Sequence, residues 1–152
     1  KLEVCEEVID HILKIGQSGI PVCVHLGLTP QSIYQFGDFG VRAKEEAEAA
    51  KLKSDALLLQ EAGCFAVVLE KIPAQLAAEV SQSLTIPTIG IGAGNGCDGQ
   101  VLVVNDLLGL TKDFKPKFLR RYLDLYSDIS KAASQYVDDV KSGSYPNESE
   151  QY

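Results

Sequence analysis

The sequence contains no methionine and no tryptophan. It opens on Lys1-Leu2-Glu3 and enters a helical pattern at once, where a native N-terminus usually has a less ordered lead-in, so a piece of a longer protein is expected. An excess of positive charge is also missing. Against 21 acidic residues stand 14 basic ones, a net charge of -7 with pI near 4.8, which argues against nucleic acid or an anionic membrane as partner. No apolar run approaches the roughly 18 to 20 residues that a membrane span requires, and no signal-peptide pattern opens the chain. The four cysteines (Cys5, Cys23, Cys64, Cys97) show no C-x-x-C spacing, and three lie in apolar surroundings. They read as reduced thiols of a cytoplasmic protein, not as a disulfide framework. Internal repeats and low-complexity tracts are absent as well. What is present, 45% hydrophobic residues in 152, suffices to bury a core.

The pattern alternates. Residues 1–4 read as a piece of strand, and Val4, Val8, Ile9, Ile12 and Leu13 recur at helical spacing up to Gly16 and Gly19. Residues 20–25 (IPVCVH) read as a buried strand and 26–41 as a long loop. Residues 43–62 read as a helix stopped by Gly63, and 64–70 (CFAVVLE) as the next strand. Pro73 opens a helix with Leu76, Val80 and Leu84 on one face. Residues 86–91 and 100–104 read as strands, 116–126 and 128–142 as helices, the last ended by Gly143, and 144–152 as a frayed polar tail. Near-continuous apolar strands alternating with helices imply an α/β fold with a parallel sheet. A doubly wound sheet and a (β/α)8 TIM barrel both satisfy this. Polar residues at the C-terminal ends of several strands favour the barrel, whose strand ends converge on one mouth. The expectation is a single TIM-barrel domain over 1–143, with the C-terminal five strands present, the N-terminal three missing, and a tail from 144 to 152.

The stretch TIGIGAGNGCDGQ contains Gly94-Asn95-Gly96-Cys97-Asp98-Gly99, a letter match to the dinucleotide fingerprint G-x-G-x-x-G. That fingerprint requires a helix to open on its last glycine, so that phosphate meets free N–H groups. Here Gln100-Val101-Leu102-Val103-Val104 follows, which reads as strand, so the nucleotide reading fails. The glycines instead suit tight turning and close backbone approach to a ligand. Glu70 ends the run Phe65-Ala66-Val67-Val68-Leu69, where a poorly solvated carboxylate suits a general base; the bland reading is a surface glutamate at a strand–loop boundary. His25 ends its own strand, either bonding a substrate oxygen or satisfied structurally. Lys1 and Glu3, two apart on a strand, face one side and could hold an anion and a hard cation, against the bland reading of a solvated pair. Asp98 reads as turn chemistry, and His11, one turn from Glu7, as a solvated helix residue.

IPVCVHLGLTPQS (20–32), SDALLLQEAGCFAVVLEKIP (54–73), IPTIGIGAGNGCDGQVLVVNDLLGL (86–110) and KSGSYP (141–146) together resemble the ketopantoate hydroxymethyltransferase family over nearly the whole chain. Residues 36–53 depart most. The resemblance implies a (β/α)8 barrel of the phosphoenolpyruvate/pyruvate type, cytoplasmic, usually a decamer and dependent on Mg²⁺. It implies transfer of the one-carbon unit of 5,10-methylenetetrahydrofolate to 3-methyl-2-oxobutanoate, giving 2-dehydropantoate through a Mg-stabilised enolate. Carried over by motif, Lys1 binds the substrate carboxylate or keto oxygen, Glu3 stands at the metal, and His25 donates a hydrogen bond to substrate. Glu70 is the proton acceptor, and Ile91, Val101 and Val103 wall the isopropyl group. Metal-ligating aspartates of the family lie on earlier strands, which this chain lacks. Two rivals stand beside this: another 2-oxo-acid enzyme of the same barrel superfamily, and a non-catalytic remnant kept for oligomer assembly. The first would want a cysteine or basic cluster where EVCEEVIDH shows acids; the second has no reason to keep a buried Glu70.

Overall fold

The computed structural model describes residues 1–3 and 8–152, apart from the side chains of residues 35 and 36. Val4, Cys5 and Glu7, which entered the expected helix, thiol set and pairing with His11, lie outside the described residues. Two compact units divide between Val101 and Leu102.

The first unit, Lys1–Val101, holds a five-stranded sheet in the order β1 (Leu2–Glu3), β2 (Cys23–Gly27), β3 (Ala66–Glu70), β4 (Thr88–Ile91), β5 (Gly99–Gln100), every neighbouring pair parallel. Helix α1 (Ile9–Gln17) follows β1, and α4 (Ala74–Ser83) follows β3. Between β2 and β3 run a 3-10 turn (Pro30–Ser32), the short α2 (Ile33–Phe36) and α3 (Glu46–Glu61). A doubly wound sheet reverses its strand order at a switch point. This one does not, which is consistent with part of a barrel.

One face of the sheet carries the core. Val24 and Leu26 of β2 and Val67 and Leu69 of β3 pack with Ile12 of α1, Leu52, Ala56 and Leu59 of α3, and Leu76, Ala77 and Val80 of α4. Crossover helices cover that face, which is why the strands read as apolar runs. The alternate positions, Glu3, His25, Val68, Glu70, Ile89 and Ile91, point the other way, and none belongs to that core.

Element boundaries shift where backbone chemistry demands it. β2 begins at Cys23 and runs on to Gly27, and β4 begins at Thr88, because Pro21 and Pro87 have no N–H to give to a ladder. Helix α3 starts at Glu46, since Ala43 sits at φ 54° and cannot be helical. The expected strand over 100–104 ends at Gln100. Val101 N–H still reaches the Gly90 carbonyl (2.9 Å), but the Val103 carbonyl accepts from Asp106 and Leu107, opening α5 (Val104–Leu107).

The second unit, Leu102–Tyr152, contains α5, α6 (Leu125–Ser142) and a terminal 3-10 turn (Glu148–Glu150). The helix expected over 116–126 does not form. Arg121 Nη2 donates to the carbonyls of Thr111 (2.6 Å), Lys112 (3.0 Å) and Phe114 (2.9 Å), which holds that stretch as a loop. The tail is ordered locally, not frayed: Asn147 accepts from Ser149 N–H while Glu150 accepts from Asn147 N–H, a reciprocal cap. Among the described residues no helix is long and apolar enough to cross a membrane.

Candidate active site

The strand ends bring four of the sequence-predicted residues together. Glu3 on β1 lies in register with His25 on β2, and Gly27 with Glu70 on β3, so all four positions share one face. Gly27 adopts φ 92°, and a Cβ there would run into the Glu70 carbonyl, which already accepts from Leu28 N–H at 2.9 Å. Only glycine permits this approach.

His25 is 3% exposed, while Glu3 and Glu70 are 20% and 19% exposed. Lys1 Nζ lies 2.6 Å from His25 Nδ1 and 3.7 Å from Glu3 Oε1. His25 Nε2 lies 3.1 Å from Glu70 Oε2, a hydrogen-bond distance without hydrogen-bond alignment. Glu3 Oε2 is buried with no hydrogen-bond partner among the described residues. The cluster therefore sets an ammonium and an imidazole between two carboxylates. Such a set can neutralise an anionic ligand at one end and take a proton at the other.

Around it, Ile91 is in register with Glu70 and half-buried. Val101 follows the last paired residue of β5, and continuing the Gly90–Gln100 register sets it opposite Ile91, although it is 47% exposed. Val103 belongs to the second unit and is 51% exposed. The Cys23 thiol is pushed up by burial, partly offset by Lys1, and the Cys64 thiol is pushed up by burial and then by Cys23. Cys23, Cys64 and Cys97 are free. Raised thiols are weak nucleophiles, so Cys23 and Cys64 match the expected inert reduced cysteines.

Within the glycine run, Gly92 and Gly94 make the expected tight turn at φ 62° and 79°, and two of the glycines also pack on a helix. A Cβ at Gly94 would strike Ala74, and one at Gly96 would strike Ala78, so the loop after β4 lies directly on α4. Asp98 closes the same loop. Its Oδ2 accepts from Thr88 N–H (2.8 Å) and Thr88 Oγ1 (2.9 Å), while Ser81 contacts that hydroxyl at 2.6 Å. These bonds hold the Asp98 carboxyl below the usual range, the backbone bond from Thr88 contributing most. Gln100 Nε2 donates to the Gly94 carbonyl (2.9 Å).

Sequence reading passed over Lys71. It sits at φ 51°, a costly conformation for a side-chain-bearing residue, immediately after Glu70. Its N–H donates to the Ile91 carbonyl (2.8 Å), its carbonyl accepts from Arg42 N–H (2.9 Å), and its ammonium donates to the Phe39 carbonyl. These bonds fix the turn that carries Glu70. No local sequence signal marks such a position.

No group of three or more metal-ligating side chains is spaced to hold an ion among the described residues. Mg²⁺ uses one or two carboxylates and fills the rest of its shell with water and substrate. Glu3, with its unpartnered buried oxygen, fits one such place.

An unreversed parallel sheet with Lys1, Glu3, His25 and Glu70 clustered on one face defines the class: an α/β fold consistent with part of a barrel. Comparison with known proteins names the family. The sequence profile described as Ketopantoate hydroxymethyltransferase matches residues 1–148, and the chain belongs to that family. It is 64% identical over 152 residues to 3-methyl-2-oxobutanoate hydroxymethyltransferase of Christiangramia forsetii. Identity is 60% to the enzyme of that name from Flavobacterium johnsoniae and 62% to that from Phocaeicola vulgatus. Each match covers 100% of this chain and 56% of the relative, so the chain spans little more than half the length of the curated relatives it matches.

Proposed function

We propose that this chain supplies one wall of a cytoplasmic hydroxymethyltransferase site of pantothenate synthesis, built on five strands of a (β/α)8 barrel. The acceptor is 3-methyl-2-oxobutanoate and the one-carbon donor 5,10-methylenetetrahydrofolate. The observation that carries the reading is the convergence of Lys1, Glu3, His25 and Glu70 on one face of the sheet, in a chain whose family and relatives bear this activity in their names.

Glu70 takes the proton from C3, the carbon beside the ketone. The charge left behind spreads onto the keto oxygen, where a cation must meet it. Lys1, 45% exposed, reaches the carboxylate and keto oxygens and supplies fixed positive charge. Mg²⁺, when bound beside Glu3, adds Lewis acidity at the same oxygens. C3 then forms a bond to the methylene carbon, both bonds from that carbon to the two folate nitrogens break, and water supplies the hydroxyl of the product, the proton taken from C3 and one from that water ending on the two nitrogens. Ile91, Val101 and Val103 supply apolar surface for the isopropyl group. The whole enzyme is a homo-oligomer, a decamer in this reading, and binds neither nucleic acid nor membrane.

The test is Glu70→Gln in the full-length enzyme. Loss of the base should lower the rate of product formation by about 10²–10⁴ while binding of the 2-oxo acid persists. Unchanged turnover would remove Glu70 from the role.

A further inference from the structure

His25 is the most buried polar side chain of the cluster, and both of its ring nitrogens face protein groups. Lys1 Nζ stands 2.6 Å from Nδ1. An ammonium carries three N–H donors and no lone pair, so Nδ1 must accept. The neutral ring then carries its proton on Nε2, which faces Glu70 Oε2 at 3.1 Å. Alignment there is incomplete, as it commonly is before substrate binds. Glu3 Oε1, 3.8 Å from Nδ1 and 3.7 Å from Lys1 Nζ, is the other charged atom at this nitrogen among the described residues. With 3% exposure and Nδ1 taken by Lys1, the ring's one remaining polar atom is Nε2, and the group it faces is the Glu70 carboxylate.

We propose that His25 does not bind substrate. It is a positioning residue, a neutral Nε2–H imidazole whose tautomer Lys1 fixes and whose proton engages Glu70 Oε2, leaving Oε1 to receive the proton from carbon. The inference rests on the reading of Glu70 as the base. It also couples the two ends of the site, because the cation expected to hold the anionic substrate is the one that fixes the ring.

Two measurements decide it. The first is the ¹⁵N spectrum of full-length enzyme labelled at histidine, with the His25 signals assigned by their loss in His25→Gln. A directly bonded proton on Nε2 and none on Nδ1 is expected; a proton on Nδ1, or on both nitrogens, overturns the proposal. The second is kinetic. His25→Ala should lower turnover about tenfold to a hundredfold, as removal of an orienting partner does. The KM for the 2-oxo acid should stay within about twofold, since uniform substrate binding is untouched. His25→Gln, which can keep an N–H near the Nε2 position, should recover most of the rate, and His25→Asn should not. A large rise in KM at unchanged turnover would make His25 a substrate contact and overturn the proposal. If Glu70→Gln leaves turnover intact, the functional reading fails, while the tautomer is still decided by the spectrum.

Discussion

At the scale of single residues, the positions nearest the chemistry are those whose backbone has least freedom. Gly27 is at φ 92° against the Glu70 carbonyl, and Lys71 is at φ 51° on the other side of the same glutamate. Gly27→Ala combines left-handed strain with a clash against backbone, and should destabilise the fold by about 1–3 kcal/mol or more, read as a drop in the urea midpoint. Lys71→Gly removes the strain but also the ammonium on Phe39. Its expected signature is unchanged or higher stability with reduced turnover; unchanged turnover would make the bracing of Glu70 incidental. Asp98 gives a pH dependence of known sign. Its folded carboxyl lies below the ordinary carboxylate range because it accepts from Thr88. Its stabilisation is therefore present above that range and lost as pH falls through the folded value. Urea midpoints taken from about pH 5 downward should fall less steeply in Asp98→Asn than in the parent chain. Parallel curves would show that the Thr88 bonds contribute nothing to stability.

At the scale of elements, the site was legible where a polar residue ends an apolar strand. His25 and Glu70 stand out because four or five apolar residues precede each, and Glu3 because a two-residue offset from Lys1 implies one strand face. All three lie on one face, Glu3 and Glu70 at strand ends and His25 two residues before the end of β2, which runs on to Gly27. Part of the cause of the glycine run is not local and was not legible. Gly94 and Gly96 answer to Ala74 and Ala78, about twenty residues upstream on α4, and no pattern within the loop encodes that contact. The β-branched stretch after Gln100 reads as strand, yet the Val103 carbonyl is taken by the first turn of α5. The stretch 116–126 has helical spacing, and the Arg121 side chain overrides it by binding three carbonyls. A direct test of the loop–helix contact is Gly96→Ala. Overpacking against Ala78 should cost about 1–3 kcal/mol. Adding Ala78→Gly should return part of it, less about 1 kcal/mol for glycine in a helix. Strict additivity in that cycle would mean the two positions do not touch.

At the scale of the whole molecule, the sheet order and the length of the relatives point the same way. The strands run in sequence order without reversal, with two-residue strands at both edges, and the chain covers 56% of the relatives it matches. One carboxylate with an unpartnered oxygen is a fraction of a Mg²⁺ site. The 152-residue chain by itself is therefore expected to show no saturable Mg²⁺ uptake by calorimetry below about millimolar concentration. Tight binding would mean the described residues hold a complete site after all. The barrel and its closing strands were inferred from strand-end chemistry and family resemblance, because hydrophobic periodicity alone does not separate a barrel from an open sheet. The most direct test of the central claim is exchange of the C3 proton of 3-methyl-2-oxobutanoate in D₂O, followed by NMR, with full-length enzyme and Mg²⁺ but no one-carbon donor. The cluster of Lys1, Glu3, His25 and Glu70 predicts exchange that depends on enzyme and disappears in Glu70→Gln. Exchange that persists in Glu70→Gln, or none in the parent enzyme, would contradict it.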